Sequence, residues 1–137
     1  MSWVRIWVHI VFSTKNREPL LKDNLRDYVF DHIRQTAKER NIYIKSIDGW
    51  EDHCHCLIRL NKDESLNTLV QQIKIESTTW MNKSNLIKGF EWEDDYLAVS
   101  VSESNLEKVI HYIENQSEHH KFKSFDEEYK DFLEYFK

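Results

Sequence analysis

Hydrophobic positions along the chain fall into short alternating runs and longer runs spaced by three and four, and the two periods predict different elements. Residues 3–12 are rich in Val, Ile and Trp and alternate imperfectly, which predicts a buried strand. A polar loop comes next, Ser13-Thr14-Lys15-Asn16-Arg17-Glu18-Pro19. Over residues 22–40, Leu25, Tyr28, Val29, His32, Ile33 and Thr36 have helical spacing, with His32 at the helix surface or boundary. Residues 42–47 predict a second strand, and Asp48-Gly49 a hairpin turn into a third over 50–60. Ser65 or Asn67 can cap the next helix, which reaches about residue 81. Its inward set is Leu66, Leu69, Val70, Ile73 and Trp80; Gln71, Gln72, Lys74 and Lys83 fall on other faces.

Residues 90–92 and 96–101 read as short strands across an acidic turn. Ser104 with Glu107 matches a capping box for a helix running through Leu106, Val109, Ile110 and Ile113 to about residue 120. Ser124 with Glu127 repeats the pattern before a last helix over 125–135, with Phe125, Phe132, Leu133 and Phe136 inward. The order strand, helix, strand, strand, helix, strand, helix, helix predicts an α+β fold. The expected architecture is an antiparallel sheet of four to five strands with helices on one face. The other face is left wet, open to a ligand.

Length and composition narrow this picture. The chain of 137 residues suits one domain, 1–137, and its hydrophobic share of 40 % is enough for a packed core. Two glycines and one proline leave little room for flexible linkers. No apolar run approaches the roughly 20 residues of a membrane span. The two cysteines stand two apart on one predicted strand and cannot comfortably bridge each other, so a reducing cytoplasm is the expected setting. A net charge of −5 argues against a binder driven by overall positive field. The acid is lumped at Glu91, Glu93, Asp94 and Asp95 and again at 126–134, whereas Lys15, Arg17, Lys22 and Arg26 form a basic group.

The candidate chemistry begins at His53-Cys54-His55. Alternation puts both histidines on one face of the third strand, roughly 7 Å apart, with Cys54, Cys56 and Ile58 turned to the core. Two imidazoles so placed can grip one divalent ion; the plainer reading is a wet strand face that carries two histidines. Far along the chain, Tyr112 and Gln116 stand four apart on one helix face, Tyr112 at the edge of the apolar stripe. A tyrosine there is most often a core-boundary residue. His119 and His120 read as surface residues.

Together these motifs resemble the single-tyrosine HUH transposases of bacterial insertion sequences, including the REP-associated tyrosine transposases. The matching stretches are His53-Cys54-His55, His111-Tyr112-Ile113-Glu114-Asn115-Gln116, and the opening His9-Ile10-Val11-Phe12-Ser13-Thr14-Lys15-Asn16-Arg17. Cys54 departs from the bulky aliphatic usual between the histidines. The resemblance implies a ferredoxin-like HUH fold and a transposase that cuts and rejoins single-stranded DNA through a 5′-phosphotyrosine link. In that reading Tyr112 is the nucleophile, His53, His55 and Gln116 hold Mg²⁺ or Mn²⁺, and Lys15 and Arg17 meet phosphates. It also implies hairpin DNA at the element's ends and a homodimer in which one subunit's histidines face the other's tyrosine. A non-catalytic single-strand-binding module and a domesticated nickase of host repeats are the alternatives.

Overall fold

The structure is a computed structural model that describes residues 1–120 and 123–135, apart from the side chains of Phe132 and Tyr135. Its sheet has four strands: β1 (Ile6–Ser13), β2 (Tyr43–Trp50), β3 (His53–Leu60) and β4 (Leu97–Val101). They lie in the order β2-β3-β1-β4, and every neighbouring pair is antiparallel. Helix α1 (Asp23–Glu39) joins β1 to β2, and α2 (Leu66–Lys83) joins β3 to β4. The α+β, ferredoxin-like expectation stands. Residues 90–92 contribute only a single bridge, Thr14 to Trp92.

Helices cover both faces of the sheet, which corrects the one-faced expectation. The even-numbered positions of β1 and β3, among them Ile10, Phe12, Cys54, Cys56 and Ile58, form the main core with Val29, Ile33, Leu69 and Ile73 of α1 and α2. Each such buried aliphatic contributes roughly 1.5–3 kcal/mol. The odd-numbered face is closed by α3 (Leu106–Glu114), α4 (Gln116–His119) and α5 (Phe125–Tyr135). There Trp7, Leu57 and Ile113 make a second, smaller core. An apolar stripe on α3 that needs a partner explains why that face does not stay wet.

Several local expectations shift for physical reasons. Trp3 is 76 % exposed and precedes β1, since no strand among the described residues lies beside it to pair with. Asp48 and Gly49 belong to β2, and the turn moves to Glu51 and Asp52. Glycine is required at 49 by packing, because an added Cβ would lie 2.1 Å from the His53 carbonyl oxygen. Ser65 caps α2 and Ser124 accepts from the Glu127 amide, as expected, but Ser104 sits in a 3₁₀ turn (Glu103–Asn105) and caps nothing.

Lys74 is buried, with its ammonium donating to the carbonyls of Glu93, Asp94 and Asp95 at 2.7, 3.1 and 3.1 Å. Tyr28 and Leu133 are exposed rather than inward. Phe132 and Phe136, also expected inward, lie outside what the structure describes. No helix among the described residues is long and apolar enough to cross a membrane.

Candidate active site

Strand β3 alternates as its sequence requires: His53 and His55 face α3 to α5, while Cys54 and Cys56 face the main core. Both imidazoles are fully buried, at 0 % exposure. Each is held at Nδ1. His53 Nδ1 donates to Asp52 Oδ1 at 2.8 Å, and His55 Nδ1 lies 2.8 Å from Nε2 of His9 on β1. Tying Nδ1 in this way aims each Nε2 into one shared space, as in histidines prepared for a metal.

The helices after β4 bring up the other expected residues. Asn115, with φ −104° and ψ 20°, ends α3, and Gln116 starts α4. The single helix expected to residue 120 is therefore broken between Tyr112 and Gln116. The break turns Gln116 inward, fully buried, with its Nε2 donating to the Tyr112 carbonyl (3.3 Å) and its Oε1 3.2 Å from His53 Nε2. The Tyr112 ring stands edge-on to His55 and His9, at 5.7 and 6.2 Å between centroids. His53, His55, Tyr112 and Gln116 thus converge within one chain.

Lys15 and Arg17 stay outside this cluster. Lys15 Nζ donates to Glu91 Oε2 at 2.9 Å. Arg17 pairs with Asp126 and lies over the rings of Phe125 and Tyr129, at 5.3 and 5.9 Å. Both pairs are open to solvent and correspondingly weak.

Three further residues stand at the centre: Glu128, which the sequence leaves unmarked, and His119 and His120, which are turned in against Glu128 rather than lying at the surface as expected. Glu128, only 2 % exposed, reaches in from α5. Its Oε1 accepts from His55 Nε2 at 3.1 Å and lies 3.4 Å from His53 Nε2. Its Oε2 lies 3.1 Å from His119 Nε2 and accepts the Tyr112 hydroxyl. His120 Nε2 sits 3.0 Å from Gln116 Oε1, with its Nδ1 against the Lys123 carbonyl at 2.6 Å. The available signal was the stripe Phe125, Glu128, Tyr129, Phe132, in which a carboxylate occupies a place fit for an apolar side chain.

The electrostatics come from these contacts. Burial alone would raise the Glu128 carboxyl, but hydrogen bonds from His120, His53 and His55 outweigh it and hold the group well below the usual carboxylate range. Burial opposes a charge on His53, yet the Asp52 and Glu128 carboxylates prevail and raise it. Burial, with its neighbouring imidazoles, lowers His55 to about 4 and His9 to about 3. His55 is therefore neutral; donating from Nε2 to Glu128, it accepts at Nδ1 from His9. The Tyr112 phenol is raised by burial and by the adjacent Glu128 charge, so its ionised form needs help.

The donor set fits a divalent cation. Ligand atoms of His53, His120 and Glu128 lie within 4.8 Å of one another, with the Gln116 carbonyl oxygen alongside. Mixed imidazole, carboxylate and amide oxygen is a set suited to Mn²⁺ and its neighbours. His55 is not among these closest donors; were its Nε2 to join the ion, its Nδ1 bond with His9 would reverse, since an Nε2 bound to an ion leaves the proton on Nδ1.

Comparison with known proteins bears on the fold and the family of the chain. The chain is 25 % identical over 114 residues to the ISDra2 transposase TnpA of Deinococcus radiodurans, covering 79 % of this chain and 81 % of that one. A crystal structure of a candidate transposase from Deinococcus radiodurans superposes with a TM-score of 0.67 at 23 % identity, covering 84 % of this chain and 93 % of that one. A REP-associated tyrosine transposase bound to a REP hairpin superposes with a TM-score of 0.66 at 15 % identity, covering 90 % and 73 %. These two structural likenesses speak for the fold. The family model described as "Transposase IS200 like" matches residues 2–116, the stretch from the first strand through Gln116, and the chain belongs to that transposase family.

Proposed function

We propose that this transposase cleaves and rejoins single-stranded DNA through a covalent bond between Tyr112 and a 5′-phosphate. The observation that carries the reading is the meeting of Tyr112, its ring beside His55 and its hydroxyl on Glu128, with the His53, His55 and Gln116 cluster in one centre. Tyr112 Oη, oriented by its hydrogen bond to Glu128, attacks the scissile phosphorus as the bond to the 3′-oxygen breaks, and the phenolic proton is relayed by way of Glu128 to that oxygen, which leaves as a hydroxyl. The free 3′-hydroxyl of another strand later attacks the phosphotyrosine, returning the tyrosine and closing a new phosphodiester. One bond forms as one breaks in each step, so the strand energy is kept. A Mg²⁺ or Mn²⁺ ion held by His53, His55 and Gln116, with Glu128 and His120 beside them, would polarise the phosphate and spread its developing charge.

Lys15 and Arg17, on the loop after β1, are positioned to exchange Glu91 and Asp126 for phosphates. The hairpin bound to the REP-associated relative supports folded single strands as the DNA form, read by shape and a few splayed bases. A homodimer is part of the proposal, formed at the outer edge of β4, which has no strand partner among the described residues. The test is to incubate the protein with single-stranded DNA flanking its own gene and Mn²⁺ or Mg²⁺. A denaturation-resistant adduct that is absent from Tyr112→Phe supports the proposal; an adduct formed equally by that variant rejects Tyr112 as nucleophile.

A further inference from the structure

Beside the histidine centre, on the same face of the sheet, lies a cavity of about 360 Å³. That is the small end of ligand pockets, which run roughly 300–1,000 Å³. Its floor is Val11 and Leu97, paired across β1 and β4, and Val11 pairs in turn with His55. The cavity therefore begins one strand over from His55. Phe125 is the shared wall: it lines the cavity and stacks on His53 with ring centroids 4.3 Å apart and planes 18° from parallel. Tyr129, one helical turn on, and Tyr96 from the start of the β4 segment give it further aromatic surface.

The polar lining has an unusual sign for a protein that handles DNA. Glu93 and Asp95 line the cavity, while Arg17 stands against Phe125 and Tyr129. Glu93 is held in place, since its Oε1 accepts the Asn16 amide at 2.7 Å, and Lys74 pins the backbone of the same loop. Carboxylates repel a phosphate, so the backbone of a strand is kept outside, near Arg17. What they accept is a hydrogen-bond donor on a flat, stackable group. Adenine N6, cytosine N4 and guanine N1 and N2 present such donors; thymine presents carbonyl oxygens on both sides of its one N–H.

We propose that this cavity is a base pocket, taking a nucleotide next to the scissile phosphate and selecting bases that carry an exocyclic amino group. The proposal rests on the single-strand reading above and adds a source of sequence preference to it. A base extruded from the strand stacks on Phe125, Tyr129 and Tyr96, and its amino edge meets Glu93 and Asp95. Arg17 leaves Asp126 for the neighbouring phosphate.

The test uses the Tyr112→Phe protein, which keeps bound strands intact, and fluorescein-labelled homopolymers of cytosine, thymine and adenine with an abasic strand of equal length. Binding is read by anisotropy at one fixed salt concentration. Cytosine and thymine are the deciding pair, because they stack alike and differ at the amino edge. The expected result is cytosine over thymine by roughly tenfold, and every base over the abasic strand. Adding Glu93→Gln, which can still accept the Asn16 amide, should bring cytosine and thymine to near equality. Adding Tyr129→Ala should bring all strands towards the abasic one. Equal binding of cytosine and thymine by the unsubstituted pocket, or a preference that survives Glu93→Gln, overturns the base pocket and leaves the single-strand reading intact. Failure to bind any of these strands, alone or as the single-stranded flank of a hairpin, overturns both.

Discussion

Glu128 joins what the strands and the tyrosine helix hold separately. One carboxylate meets His53, His55, His119 and the Tyr112 hydroxyl, so it is both a candidate ion ligand and the group that orients the phenol. Glu128→Gln keeps the shape and removes the charge. Mn²⁺ affinity measured by calorimetry should fall by about 10- to 100-fold; an unchanged affinity would put the ion elsewhere. Tyr112→Phe should keep Mn²⁺ affinity and lose the adduct, because the hydroxyl contributes the nucleophile and no donor to the ion. His9 permits a prediction on pH. Its folded value of about 3 lies below the ordinary 6.5, so the unfolded chain takes up the proton first and stability is lost as pH falls. Between pH 7 and pH 5, in chelator, His9 should account for about 2 kcal/mol of lost stability. Urea titrations of the parent and His9→Gln should differ by that slope; His53, raised rather than lowered, acts in the opposite sense in both proteins.

Among the elements, the β2-β3 hairpin and the break between α3 and α4 decide where the chemistry sits. Gly49→Ala would press a Cβ onto the His53 carbonyl, with a cost of about 3 kcal/mol or more. Thermal unfolding should show the loss, and metal binding should weaken with it because His53 moves with that carbonyl. On β3 itself the two faces separate the consequences of substitution. Cys54→Ala costs stability and spares cleavage, whereas His55→Ala removes cleavage and, since the imidazole is fully buried, also leaves a cavity worth about 2–3 kcal/mol. Period two along β3 and the three-and-four stripe of α3 made these faces legible in the sequence, because both report local burial. The turn at Asp48-Gly49 misled, since glycine there answers a close backbone approach rather than a bend. The break at Asn115 left no mark, because neither proline nor glycine causes it and the side chain of Gln116 compensates the Tyr112 carbonyl.

At the scale of the molecule, the question is whether one chain or two make a site. A mixture of His55→Ala and Tyr112→Phe chains, each inactive alone, should stay inactive if every chain is its own site. Adduct formation restored by mixing, with subunit exchange verified, would show that sites are shared. The succession of strands and helices along the chain came from hydrophobic patterning, and His53, His55, Tyr112 and Gln116 from spacing joined to family resemblance; the order of strands within the sheet did not. Glu128 and His120 escaped because a lone carboxylate or imidazole at a surface-like position is legible only once its helix is docked over the sheet. Lys74 escaped likewise, its ammonium being satisfied by a loop about 20 residues away in sequence.

The buried cysteines, finally, make the strand its own reporter. Cys54 and Cys56 lie behind the two histidines, their sulfurs 3.7 Å apart and both fully enclosed, and burial pushes the Cys54 thiol upward. An alkylating reagent reaches them only when the sheet opens. Labelling rate then measures the opening free energy of β3 in the native protein, without denaturant. Saturating Mn²⁺ gripped by the opposite face should slow that labelling in proportion to its occupancy, so a site with no chromophore of its own becomes readable from behind.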